Sequence, residues 1–158
     1  MERRIRDHKG YLSEVYMAQI LWSGQRKTLP GKFFHSKKDV TIPWHFSYVK
    51  QRTRLGMGKD VEIDIEGGAG KERWICESKW WIGKKAGRPE IESLIKKGKA
   101  VKKIAGKGLQ ILRLWFFAHD GFTNKAEELL KEKGMLWSTR DDLDKLLKFV
   151  GLRQLLDI

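Results

Sequence analysis

VEIDIEGGAGKERWICESKWW, residues 61–81, decides the fold. Its first half alternates apolar and acidic residues from Val61 to Glu66, and the alternation resumes from Arg73 to Trp81. A side-chain period of two belongs to a β-strand, and the glycines between the halves predict a hairpin with strands over 60–66 and 73–81. In such strands Val61, Ile63 and Ile65 pack inward, while Glu62, Asp64 and Glu66 share the other side. In the second strand Trp74, Cys76 and Trp80 take one face, and Ile75, Glu77, Lys79 and Trp81 the other. A two-residue turn at Ala69-Gly70 and a four-residue loop from Ala69 to Glu72 both leave Asp64 and Glu77 on one face. The two are then directly opposite or one diagonal apart, with about 5 to 8 Å between backbones.

Working outward, GYLSEVYMAQILW (Gly10–Trp22) places apolar residues at helical spacing and is followed by Ser23-Gly24, a stop signal. A basic, aromatic stretch with two prolines leads to WHFSYVKQRTRL (Trp44–Leu55), which reads as a strand broken by Gly56 and Gly58. Beyond the hairpin, RPEIESLIKKGKAVKKIAG puts Ile91, Leu94, Ile95 and Val101 on one stripe with lysines opposite, and Pro89 near its start. LQILRLWFFA (Leu109–Ala118) is nearly continuous in large apolar residues, as in a strand covered on both faces by helices. TNKAEELLKEKG predicts a helix capped by Thr123 and ended before Gly134; MLW is a short strand, and STRDDLDKLLKFVG is a last amphipathic helix. The order is α-β-β-β-α-β, then α-β-α.

Composition narrows the function. The 158 residues suit one domain over 1–158, large enough to bury a core without covalent staples. A single cysteine, Cys76, excludes an internal disulfide framework, and no Cys/His cluster suggests zinc, so a reducing cytoplasmic compartment is expected. No uncharged run approaches the roughly 18 residues of a membrane span, and MERRIRDHKG is not followed by the apolar segment of a signal peptide. The 33 Lys and Arg exceed the 20 Asp and Glu by 13 charges, which points to a polyanion, nucleic acid first. A lone asparagine with abundant Lys and Glu also fits a heat-adapted surface. That reading leaves residues 24–59 unexplained, where Asp39 is the one carboxylate among nine Lys and Arg.

Asp64 and Glu77 on one face make a pair of hard oxygen donors. A divalent ion such as Mg²⁺ or Mn²⁺ takes oxygen ligands at about 2.1 Å and keeps several waters, so two carboxylates, a backbone carbonyl and a substrate phosphate suffice. Lys79, two residues from Glu77, projects beside that ion, where an ammonium orients or deprotonates a water and stabilises charge on phosphorus. Phosphodiester hydrolysis needs both components, because its reactants are a weak nucleophile and an anion.

Asp64, then Glu77-x-Lys79 thirteen positions on, at strand tips behind a helix, resembles the PD-(D/E)XK nuclease superfamily. FFAHDGFTNKAEELLKEKGMLWSTRDDLDKLL resembles the second half of the Mrr-type endonucleases and of the nuclease-like domains at the C-terminus of archaeal ATPases. Archaeal Holliday-junction resolvases are similar in the same elements. The resemblance spans about residues 10–150 and implies an α/β fold with the restriction endonuclease-like αβββαβ core, a mixed central sheet flanked by helices. It implies a Mg²⁺-dependent endonuclease acting on DNA, or a noncatalytic DNA-binding or docking domain of a larger ATPase, and homodimerisation. Ile63 stands where the superfamily's name has proline. The acid that the first helix contributes in these families matches Glu14. At about 100° per residue Glu14 falls among Tyr11, Ala18 and Leu21, on the stripe facing the sheet, where a buried acid needs a partner or a cation.

Other residues have plainer readings. Glu62 and Glu66 read as a solvated stripe beside Asp64, with Glu62 able to steer the ion indirectly. Trp81 shares the face of Lys79 and suits base stacking, although packing is the common fate of a tryptophan. His119 and Asp120 suit a capping or loop role. Lys84, Lys85, Lys96, Lys99 and Lys103 are candidates to track a phosphate backbone, Lys107 continuing the row. GGAGKE fails as a phosphate loop, since Ile65 and Glu72 occupy positions that need glycine and a hydroxyl.

Overall fold

The computed structural model describes residues 2–56 and 60–152, with side chains over 10–55 and 61–152. Gly58, expected to break a strand, lies outside the described residues. Helix α1 spans Glu2–Ser23, starting eight residues before the predicted Gly10. The charged segment contains no proline or turn pair to stop it, and one glycine inside a helix costs only about 1 kcal/mol. The end at Ser23 is the predicted one.

The basic stretch that follows makes a small antiparallel ribbon of β1 (Thr28–Leu29) and β2 (Val40–Thr41). β3 (Tyr48–Gly56) starts four residues later than the periodicity predicts, because the backbone N–H of Phe46 is taken by Gln25 Oε1 rather than by a strand partner. β4 (Asp60–Ala69) and β5 (Glu72–Lys79) form the predicted hairpin with a tighter end. Ala69 pairs with Glu72, so Gly70 and Lys71 make the turn and Gly67 and Gly68 belong to the strand. Aromatic rings explain those two glycines: a Cβ at Gly67 would stand 2.9 Å from the Phe46 ring, and one at Gly68 2.4 Å from that of Tyr48.

α2 (Arg88–Ala105) then crosses to β6 (Ile111–Ala118), and α3 (Asn124–Glu132) crosses to β7 (Leu136–Ser138) before α4 (Arg140–Phe149) closes the described chain. Thr123 caps α3 as predicted, its hydroxyl accepting from the Ala126 N–H at 3.2 Å. The five-stranded sheet has the order β3-β4-β5-β6-β7, antiparallel across its first two pairings and parallel across the last two. This is the mixed sheet flanked by helices, in αβββαβ order, that the sequence implies.

Each face has its own core. Met17, Ile20 and Leu21 of α1 and Leu143, Leu146 and Leu147 of α4 pack with Trp74, Cys76, Trp115 and Phe117 on one side. Ile91, Leu94 and Val101 of α2 and Ala126, Leu129 and Leu130 of α3 pack with Ile75 and Phe116 on the other. One expectation fails here. Ile63 belongs to the α2–α3 core and Ile65 to the α1–α4 core, so the two do not share a face. The cause lies in the neighbouring strand. Gln51 pairs with Ile65 and Thr53 with Ile63, but Arg52 between them is left-handed at φ +54° and has no ladder pairing with Asp64. Asp64 thus lies outside the β3 ladder, between two paired residues.

Candidate active site

β4 and β5 separate where the acids lie. Their pairing runs from Ala69–Glu72 to Ile65–Cys76 and stops there; Asp64 is the next residue of β4 and Glu77 the next of β5. Asp64 Oδ2 accepts the backbone N–H of Ser78 at 2.9 Å. Glu77 is buried, and both its oxygens face cations: Lys97 Nζ donates to Oε2 at 2.9 Å, and Lys79 Nζ lies 3.5 Å from Oε1. Asp64, Glu77 and Lys79 are therefore brought together at one end of the sheet.

The third acid is held differently. Glu14 is buried on α1 and accepts from Arg52 Nε at 3.0 Å. The side chains of Ser13 on α1 and Ser78 on β5 are hydrogen-bonded, which fixes the helix against the site strand. Among the described residues no group of three or more His, Cys, Asp or Glu side chains is gathered as a ready metal cage. The set expected from sequence, Asp64, Glu77 and Glu14, is thus two neighbouring carboxylates plus an acid turned to an arginine. Glu14, Arg52, Ser78, Lys79, Trp80 and Trp81 line an open cleft of about 630 Å³.

Burial and mutual repulsion act on the acids. Burial, then the Glu77 carboxylate, push Asp64 up to about 7; the Ser78 N–H and Lys97 pull the other way. Burial also raises Glu14, against the opposing hydrogen bond and charge of Arg52. Asp64 and Glu77 are neighbouring oxygen donors of the kind a hard divalent ion takes, but Glu77 already has Lys79 and Lys97 on its two oxygens.

Two residues of the site were not found by sequence reasoning. Lys97 stands three residues after Leu94 and four before Val101, on the apolar stripe of α2. A lysine there is a visible anomaly on an apolar stripe, less conspicuous than the exposed row Lys96, Lys99 and Lys103. Arg52 gave no such signal, because its position depends on a left-handed backbone. Glu66 is a correction. Its carboxylate is buried rather than solvated, accepting from Tyr48 Oη at 3.1 Å, Thr53 Oγ1 at 3.0 Å and Arg73 Nη1 at 3.1 Å. Burial and Glu66 hold the Tyr48 phenol up at about 12. Glu62 remains partly exposed, 3.8 Å from Arg54.

Trp81 lies between two lysines, Lys79 Nζ at 5.4 Å and Lys84 Nζ at 4.3 Å from its ring centre. Lys84 and Lys85 are exposed and line a neighbouring cavity of about 780 Å³ with His119, Asp120 and Arg140. His119 pairs with Asp120, which also accepts the Gly83 N–H at 2.5 Å, the loop-holding role expected of them. No helix among the described residues is long and apolar enough to cross a membrane.

No family model matches the chain, and no curated protein matches it significantly. Among solved structures it is similar to a protein of unknown function, AF1548, with a TM-score of 0.51 and 19% identity, over 63% of this chain and 56% of that one. It is similar more distantly to an EndoMS–double-stranded DNA complex (TM-score 0.42, 16% identity, 59% of this chain and 36% of that one). The same holds for a repair endonuclease from Pyrococcus abyssi (0.41, 17%, 57% and 38%). The chain thus spans a little over half of the first of these structures and under two-fifths of the other two. The likeness to the first is one of fold.

Proposed function

We propose that the protein is a metal-dependent endonuclease that hydrolyses phosphodiester bonds in DNA. The observation that carries the reading is the nearness of Asp64 and Glu77, whose charges act on each other just past the end of the β4–β5 ladder, with Lys79 3.5 Å from the Glu77 carboxylate. Asp64 and Glu77 would hold Mg²⁺ or Mn²⁺, with Glu14 completing the site from α1, and the ion would supply charge neutralisation at phosphate and a more acidic bound water. Lys79 points its ammonium at the place where charge builds on phosphorus, and its Nζ is the donor that orients the attacking water. Arg52 keeps the Glu14 carboxylate aimed, and the Ser78 N–H keeps Asp64 aimed. The 13 excess positive charges supply the general attraction to a polyanion. Within them, Lys84, Lys85, Lys96, Lys99 and Lys103 track the backbone while Trp81 offers a ring to a base.

A second reading has one observation in its favour. Lys79 and Lys97 already sit on the two oxygens of Glu77, as they would in a DNA-binding or docking domain that keeps the fold without turnover. Incubation of the protein with plasmid, branched and single-stranded DNA plus Mg²⁺ or Mn²⁺ separates the two readings. Cutting that disappears in both Asp64→Ala and Lys79→Ala supports the nuclease. Binding without cutting of any substrate supports the docking domain, and cutting that persists in both variants belongs to another protein.

A further inference from the structure

Residues 24–59, so poor in acid, are not accounted for by the cleft alone. Within its described part, residues 24–55, Trp44 is 70% exposed, with the Arg26 guanidinium 4.8 Å from its ring centre. Trp22, at the end of α1, is 47% exposed and meets edge-on the ring of Phe46, two residues from Trp44. Gln25 braces the two sides: its Nε2 donates to the Trp22 carbonyl at 2.8 Å, and its Oε1 accepts the Phe46 N–H at 2.7 Å. Arg26 itself is held at φ +67°, a conformation that costs a side chain free energy and that here keeps the guanidinium over the indole. The segment's lone acid does not offset this charge, because Asp39 Oδ1 is turned to the Gly31 N–H at 3.0 Å.

We infer that Trp44, Arg26 and Trp22 form a stacking platform for a single-stranded stretch of nucleic acid leading away from the cleft. The inference rests on nucleic acid being the partner, but not on its being cut. An exposed indole with an arginine beside it presents a π-face to any base and a cation to the adjoining phosphate, which suits an unpaired strand more than a stacked duplex. The preset loop means that little order must be gained on binding.

The placement agrees. Trp22 is eight residues beyond Glu14 on α1, about 12 Å along the axis. A strand advances about 3.4 Å per nucleotide in a duplex and further when stretched, so the platform meets bases about two to four nucleotides from the cleft. The same pairing of arginine and ring recurs at the cleft, where the Arg52 guanidinium is 5.3 Å from the centre of the 45% exposed Tyr11 ring. Tyr11 and Trp22 are eleven residues apart, so their directions on α1 agree within about 20°.

The test is fluorescence anisotropy in EDTA, which removes cutting, using a 20-nucleotide strand, a blunt 20-base-pair duplex and the same duplex with a single-stranded tail. Trp44→Ala and Arg26→Gln should weaken binding of the strand and the tailed duplex roughly tenfold, leave the blunt duplex within about twofold, and Trp44→Phe should restore most of the loss. Equal binding of all substrates by wild type and both variants overturns the platform while leaving the nuclease reading intact. Absence of any nucleic-acid binding in wild type overturns both. If Trp44→Ala instead abolishes a concentration-dependent dimer in sedimentation and leaves strand binding unchanged, the face is occupied by a second copy and the inference is wrong.

Discussion

Lys97 Nζ donates to Glu77 Oε2 at 2.9 Å from the facing helix, on the oxygen that Lys79 does not approach. A divalent ion at Glu77 therefore has to displace one ammonium or share the carboxylate with it. Lys97→Met should lower the melting stability of the metal-free protein by about 2–4 kcal/mol, because a buried acid loses its nearer partner. The same variant should bind Mn²⁺ more tightly in calorimetry and recover part of its lost stability when the ion is added. Unchanged Mn²⁺ affinity would mean that Lys97 and the ion do not compete.

Asp64 gives a pH dependence of definite sign. Its folded-state pKa of about 7 lies above the ordinary value of 3.8, so between about pH 4 and 7 the unfolded chain releases this proton while the folded one keeps it. Stability from this group is complete below pH 4 and is lost as the pH rises through 7. Asp64→Asn should thus raise stability at pH 8 by on the order of 2–3 kcal/mol and change it little at pH 4, as read by denaturant melts at the two pH values. A loss of stability at pH 8 would contradict the assignment.

Arg52 combines a strained backbone with the partnership of Glu14. Arg52→Ala should cost about 2–3 kcal/mol, since it leaves Glu14 buried without its arginine and keeps a side chain at φ +54°. Arg52→Gly should cost about 1 kcal/mol less, glycine being at ease there. Equal losses in chemical melts would show that the backbone stores nothing.

Glu66 separates structure from chemistry. It flanks Asp64 in sequence, yet its carboxylate serves Tyr48, Thr53 and Arg73. Glu66→Gln should destabilise by about 1–2 kcal/mol and leave DNA cutting per folded molecule within about twofold. A thousandfold loss of cutting in a folded variant would place Glu66 in the chemistry.

These residues also mark what the sequence alone could tell. Strand period, helix stripes and caps are local, so the order of the main-sheet elements and the cap at Thr123 were legible. The periodicity ends the first strand at Glu66, short of Gly67 and Gly68, because the rings of Phe46 and Tyr48 that require those glycines arrive from another part of the chain. Glu66 was misread for the same reason, its three donors coming from β3 and β5. The split of Ile63 from Ile65 depends on one left-handed residue, and no periodicity encodes Arg52 in that state. Lys97 was legible in principle as a charge on an apolar stripe.

The most direct measurement is a crystal grown with Mn²⁺ and read by its anomalous signal. An ion shared by the two acids gives one strong peak within about 2.3 Å of a carboxylate oxygen of both Asp64 and Glu77, lost in Asp64→Ala. Peaks elsewhere, or none while Glu77 stays on Lys97, would contradict that shared site.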